Sequence, residues 1–288
     1  MAILVDKSSR VMVQGITGGN GMYHTERMLA YGTTIVGGVT PGKGGQSVHG
    51  KPVFDTVEEC VEQTGADTSV IFLPAQHVKE AAVEAIRAGL KLVVVIPEHI
   101  PIHDMLYIRK EAQQNAVTVL GGNTPGLITP GQANLGIIPD VAFTPGRVGT
   151  VSRSGSITYY IADTLTRTGY GETTCVGLGG DPVLGSTFNE ILWMFENDLA
   201  TKAVVMTGEI GGVYEEMATD TIRGMKKPVL VMIGGIFAPP GKRMGHAGAI
   251  VEGKMGTAKE KLETLASAGA HPCRTFLDIP ETLKKLGV

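Results

Sequence analysis

Cysteine is scarce in this chain: Cys60, Cys175 and Cys273 are the only three in 288 residues, and they share no paired spacing. That excludes a disulfide framework and a cysteine-rich metal cage, and it fits a reducing compartment. A cytoplasmic location is expected, or the mitochondrial matrix if this is a mature eukaryotic chain. Aromatic residues are only 5%, net charge is −3, and no run of Lys and Arg exceeds three residues. A nucleic-acid surface is therefore not expected. No apolar run reaches membrane-spanning length; the longest, such as residues 90–97, suit buried strands, so no membrane partner is expected. The opening MAILVDKSSR has no charged stretch followed by a long apolar core, so no signal peptide is expected. Also missing are a G-x-x-x-x-G-K-[ST] loop and the kinase signature set.

What the chain does hold is glycine, 40 residues of it, gathered at the ends of apolar runs. With 43% hydrophobic and 18% charged residues, it has the composition of a soluble globular protein with length for about two domains. Short β-branched runs predict strands at 11–16, 34–39, 68–73, 92–96 and 117–120. Helical patterns near 21–30, 57–64, 78–88 and 102–114 alternate with them. A Pro/Gly-rich stretch around 121–131 and 144–146 reads as a linker with ordered turns. The alternation then restarts, with strands at 148–152, 174–178, 203–207 and 228–233 and helices at 157–168, 188–196, 213–225 and 259–268. Such alternation implies parallel sheets covered on both faces. The expected fold is α/β: a Rossmann-like domain over 1–122, a linker over 123–146, and a second doubly wound, flavodoxin-like α/β domain over 147–288.

The first predicted strand ends in Gly15-Ile-Thr-Gly-Gly-Asn-Gly21. Glycines after a strand let the backbone approach a phosphate, and the helix that follows offers a positive N-terminus. A tight strand–helix turn is the bland alternative. The next strand carries no acid for a ribose hydroxyl; it leads to Lys43 in a glycine-rich turn. A lysine suits a further phosphate, as in coenzyme A, and NADP fits the same logic.

In the second half, KRMGHAGAI places His246 between Gly245 and Gly248 after two cations. Ser154, Gly155 and Ser156 follow a predicted strand and open a helix, where hydroxyls and N–H groups meet a positive helix end; helix capping is a compatible reading. Gly179-Gly-Asp-Pro182 is another strand-end turn. Glu209, in Gly208-Glu-Ile-Gly-Gly212, can accept a hydrogen bond from an imidazole and fix its tautomer.

Taken in order, QGITGGNG, GGVTPGKGG, VSRSGSITY, VGLGGDPVLGSTF, GEIGG and GKRMGHAGAI resemble the α subunit of succinyl-CoA synthetase (succinate–CoA ligase). The likeness runs along essentially the whole chain. It implies that the first domain binds coenzyme A through Thr17, Gly18, Gly19, Asn20, Val39, Lys43, Pro74, Ile96, Pro97, Glu98 and Asn123. It implies that His246 is phosphorylated on nitrogen with Glu209 as its acid partner. Ser154, Gly155 and Ser156 would bind the phosphate, and Tyr159 the carboxylate substrate. No metal site is expected in this chain. A β subunit of ATP-grasp fold would bind ATP or GTP with Mg²⁺, in an αβ heterodimer or an α2β2 assembly.

The activity so implied is reversible, nucleotide-dependent formation of succinyl-CoA from succinate and CoA through a phosphohistidine and an acyl phosphate. A ligase for malate, citrate or another acid is the alternative. An inactive CoA-binding protein and an NADP-dependent reductase represent other classes. Three departures from the family pattern bear on the substrate. Thr124 stands in place of a cysteine near the expected CoA thiol, Tyr160 in place of a glutamate, and Pro97-Glu98-His99 in place of Thr-Glu-Gly.

Overall fold

The computed structural model describes residues 2–239, 244–246, 248–251 and 256–288. Lys242, Arg243 and Ala247 of the histidine motif lie outside them. In the first half the chain runs β1 (Val11–Gln14), α1 (Gly19–Tyr31), β2 (Ile35–Val39), β3 (Ser47–Val48), β4 (Lys51–Phe54), α2 (Val57–Thr64), β5 (Thr68–Ile71), α3 (Val78–Arg87), β6 (Leu92–Val95), α4 (Ile102–Gln114) and β7 (Thr118–Leu120). The sheet order is β3-β4-β2-β1-β5-β6-β7, parallel except for the antiparallel β3–β4 pair. Alternate side chains of β1 enter different cores: Val11 and Val13 on one face, Met12 on the other. Each such buried aliphatic side chain contributes about 1.5–3 kcal/mol relative to exposure.

The second half runs β8 (Gly126–Thr129), β9 (Ala133–Gly136), β10 (Pro145–Ser152), α5 (Gly155–Arg167), β11 (Glu172–Gly177), α6 (Phe188–Asn197), β12 (Ala203–Glu209), α7 (Thr219–Gly224), β13 (Val229–Gly234), α8 (Ala258–Ser267), β14 (His271–Pro272) and α9 (Ile279–Lys285). Its sheet order is β14-β13-β12-β10-β11-β8-β9. Helices α6 and α8 pack on one face through Phe188, Phe195 and Leu265. Helices α5 and α9 cover the other through Ile161, Leu165, Ile279 and Leu283.

Two expectations are corrected. The stretch read as a linker, 123–146, supplies the β8–β9 hairpin, which joins the second sheet antiparallel to β11. Leu127 and Leu135 bury their side chains in the core that also holds Val11 and Val13, so these turns are a seam between the halves. The expected helix at 213–225 shrinks to a 3-10 turn, Glu216–Ala218, and the six residues of α7. Its first part is diverted because the Glu215 side chain is drawn inward, as described below.

From β1 in the first sheet and β10 in the second, the chain moves to one side and later returns on the other. Crevices therefore form at the carboxyl ends of β1 and β5, and of β10 and β12, where open α/β sheets bind ligands. Among the described residues, no helix is long and apolar enough to cross a membrane.

Candidate active site

The first crevice is a cleft of about 380 Å³ lined by Gly18, Gly19, Asn20, Pro74, Ile96 and Pro97, with Phe72 and Leu73 in its wall. Gly18 is the N-cap of α1, in extended conformation with no side-chain cap, so the first N–H groups of the helix are left for a ligand. Space beside Gly19 is open, whereas a Cβ on Gly21 would sit 2.1 Å from the Gly15 carbonyl oxygen. The loop is thus folded tightly on itself and bare toward the cleft, a shape and polarity that fit a phosphate.

The remaining expected CoA positions surround this cleft without lining it. Thr17 is bonded to Thr40 at 3.2 Å, which ties the loop to the turn after β2. Val39 is buried at the end of β2, and Lys43 is exposed in that turn. Glu98 is exposed and lies 3.6 Å from His99.

The second crevice gathers four chain segments. Glu209 ends β12, and its Oε2 accepts a 2.5 Å hydrogen bond from His246 Nδ1. Its Oε1 lies 3.1 Å from Arg153 Nη2, whose guanidinium donates to the carbonyls of Gly179 and Asp181 at 3.3 and 3.2 Å. Arg153 is 2% exposed, so this ion pair is shielded from solvent. The His246 ring lies against Gly180, where a Cβ would come within 2.6 Å of it. The glycine that makes room for the ring is therefore Gly180, in another loop, rather than the flanking Gly245 or Gly248.

The bond to Glu209 raises the His246 pKa above the ordinary imidazole value, against burial and the nearby Arg153 charge. Asp181, 3% exposed, is held above the usual carboxylate range by burial, opposed by N–H bonds from Ile100 and His99. Ser154 caps α5, accepting from Ile157 N–H at 3.3 Å, and lies 3.5 Å from the Ser156 hydroxyl. Ser152 braces this turn by accepting from Ser154 N–H and donating to Ser154 carbonyl oxygen. Tyr159 is half-buried with its pKa raised, chiefly by burial; its hydroxyl is 3.7 Å from the Cβ position of Gly155.

Backbone bonds join the two crevices. Asn123 N–H donates to the Pro97 carbonyl at 2.7 Å, and Gly180 N–H to the Asn123 carbonyl at 3.0 Å. Pro97 walls the first crevice and Gly180 carries the His246 ring, so Asn123 spans the two. Arg153 and Asp181 were not singled out from sequence, although each stands inside a motif that was.

Two departures from the family pattern acquire structural explanations. Thr124 is 2% exposed, donates to the Gly177 carbonyl at 2.7 Å and accepts from Gly126 N–H at 3.0 Å; it staples the seam. Tyr160 is exposed and stacks on Phe276, in the C-terminal segment.

Residues 6–99 match the family described as CoA binding domain, and residues 151–271 match the family described as CoA-ligase. A CoA-binding domain followed by a CoA-ligase domain is the class these features define. The succinate–CoA ligase (ADP-forming) subunit alpha 1 of Archaeoglobus fulgidus is 52% identical over 286 residues, covering 99% of this chain and 98% of that one. The corresponding alpha subunit of Methanothermobacter thermautotrophicus is 55% identical over 268 residues, covering 93% and 91%. The chain belongs to the succinate–CoA ligase α-subunit family. Among solved structures, Methanosaeta concilii ATP citrate lyase in complex with (3S)-citryl-CoA superposes with a TM-score of 0.89 at 25% identity, covering 99% of this chain. This chain spans 50% of that polypeptide.

Proposed function

We propose that this chain is the α subunit of an ATP-dependent ligase that reversibly forms succinyl-CoA from succinate and CoA, with His246 as the phosphoryl carrier. The observation that carries the reading is the 2.5 Å bond from His246 Nδ1 to Glu209. With the Nδ1 proton committed to the carboxylate, the neutral ring keeps its lone pair on Nε2, and the side chain is 26% exposed. Nε2 is then a nucleophile with its tautomer fixed.

Nε2 attacks the terminal phosphorus of the nucleoside triphosphate, and the bond to the departing diphosphate breaks. Ring charge created in this step is stabilised by Glu209. A succinate oxygen next takes the phosphoryl group, breaking the N–P bond and giving an acyl phosphate. CoA supplies the thiol that displaces inorganic phosphate from the acyl carbon. Ser154, Gly155 and Ser156 at the N-terminus of α5 stabilise the transferred phosphate, with Tyr159 at the carboxylate. Thr17, Gly18, Gly19, Asn20 and Lys43 hold CoA phosphates. Pro74, Ile96 and Pro97 wall the cleft, and Val39, Glu98 and Asn123 meet CoA beyond it.

In this reading residues 1–122 are the CoA-binding domain and 147–288 the ligase domain. The intervening stretch, expected as a linker with ordered turns, is assigned as their seam, which the burial of Leu127 and Leu135 beside Val11 and Val13 supports. The nucleotide and Mg²⁺ belong to a β partner of ATP-grasp fold, in an αβ or α2β2 assembly. Support comes from the absence of a Walker loop in the sequence and from relatives named as alpha subunits. Their ADP-forming names favour ATP over GTP. The three cysteines, free and buried, suit a reducing compartment such as the cytoplasm.

Succinate is favoured over citrate because the succinate–CoA ligase relatives exceed 50% identity and the citrate enzyme reaches 25%. Two of the three departures, Thr124 and Tyr160, also have structural explanations. A panel of di- and tricarboxylates, assayed for CoA-thioester formation with the cognate β subunit, tests this. Succinate should give the highest kcat/KM. A higher value for citrate or malate would overturn the substrate, and no thioester from any acid would overturn the ligase reading.

A further inference from the structure

Glu209 has to be held as well as charged, and the means lie beneath it. The Glu209 N–H, at the end of β12, donates to Glu215 Oε1 at 3.1 Å. The other oxygen of Glu215 meets Lys261 Nζ of α8 at 2.5 Å, and Lys261 also reaches Glu216 at 3.1 Å. The Glu215 and Lys261 side chains are both 0% exposed. Gly208 is what lets this carboxylate lie against the strand, since a Cβ there would be 2.3 Å from Glu215 Cγ.

The chain turns back between Glu209 and Glu215 through Gly211 and Gly212, at φ +82° and +58°. A Cβ on Gly211 would lie 2.4 Å from the Gly248 carbonyl oxygen and 2.5 Å from that of Ile250. The turn therefore packs directly on the segment that follows His246.

A buried ion pair is a poor device for stability alone, because desolvation offsets its attraction and an aliphatic pair of similar volume often serves as well. An aliphatic pair could not accept the Glu209 N–H. We propose that Glu215 and Lys261 are a positioning pair that fixes Glu209, and through it the imidazole of His246, without touching the reacting atoms. The proposal rests on His246 being the phosphoryl carrier. The charged groups facing the ring among the described residues are Glu209 from β12, Arg153 after β10 and Asp181 after β11; of these the pair holds Glu209.

The test uses the full chain with its β partner and two double variants. Glu215→Leu with Lys261→Met keeps volume and removes the acceptor. Glu215→Gln with Lys261→Met restores an acceptor without a charge. Thermal unfolding checks that each folds, steady-state kinetics separates kcat from KM, and NMR titration of the full chain reads the His246 pKa. The Leu/Met variant should lose on the order of 10²-fold in kcat with KM unchanged, and its His246 pKa should fall toward the ordinary imidazole value. The Gln/Met variant should recover most of both.

Wild-type kcat and pKa in the Leu/Met variant, or equal impairment of the two variants, would overturn the pair's role. Should the Leu/Met variant fail to fold, Lys261→Met alone decides: a lowered His246 pKa supports the pair, and an unchanged one refutes it. If the pKa follows the pair but His246 takes up no phosphoryl group, the functional reading fails and the pair stands. If His246 is phosphorylated while its pKa ignores the pair, the reverse holds.

Discussion

At the cleft beside α1 the glycine loop offers bare backbone, whereas the His246 pocket is held together by charge. In the first, Gly18, Gly19 and Asn20 come from one continuous strand–helix turn, and what limits substitution there is space. In the second, Arg153, Asp181, Glu209 and His246 come from four separate chain segments, and removing Arg153 or Glu209 leaves its partner's charge unpaired. The difference teaches where each is fragile. A backbone cradle fails to an added methyl group; a charge network fails to an isosteric change that leaves the shape alone.

Breaking the charge network should have the larger effect. Glu209→Gln keeps volume but cannot serve both the His246 Nδ1–H and the Arg153 charge. Phosphorylation of His246 should slow by about 10²- to 10⁴-fold, measured by rapid quench. Its pH dependence should move as well. Glu209 raises the His246 pKa in the native chain, so the rise in rate as the ring becomes neutral should shift to lower pH in the variant. The sign for stability follows. The bond stabilises the fold fully below the unfolded imidazole pKa of about 6.5, and that contribution is lost as pH rises through the folded value. A profile unmoved by Glu209→Gln would deny the pair its role.

The backbone cradle should separate fold from binding. Gly21→Ala forces a Cβ to 2.1 Å from the Gly15 carbonyl oxygen and should destabilise the first domain by about 1–3 kcal/mol, read by chemical denaturation. Gly19→Ala meets nothing within 4 Å and should fold at least as well, yet bind CoA more weakly by calorimetry because its methyl group occupies the bare face of the loop. Phosphorylation of His246 should survive Gly19→Ala. Unchanged CoA affinity in that variant would place the ligand elsewhere.

The two regions also differed in how far the sequence revealed them. The glycine loop was legible because its function is local: a β-branched run, four glycines and a helix are contiguous. Strands β1, β2, β5, β6, β7 and β10 to β13 were legible for the same reason, whereas the short β3, β4 and β14 were not. The β8–β9 hairpin was hidden by its Pro and Gly content, which signals turns, while its pairing partner in β11 is distant in sequence, Cys175 facing Ile128 and Val176 facing Leu127.

Glu215 and Lys261 were hidden more thoroughly, because a charge in a sequence reads as solvent-facing until its partner is known, and here the partners stand 46 residues apart. The expected helix over 213–225 failed at the same place, since tertiary demand on Glu215 overrode local propensity. His246 was legible as unusual and Glu209 as its partner, but its glycine neighbour in space, Gly180, and its cation, Arg153, were not, because they come from other motifs.

The most direct test of the central claim is to incubate the full chain and its β partner with γ-³²P-ATP and Mg²⁺ and to follow acid-labile label on the α chain. The label should appear on the native chain, be discharged by succinate with CoA, and be absent from His246→Asn, which should bind CoA as the native chain does. Label that persists in His246→Asn would contradict the account.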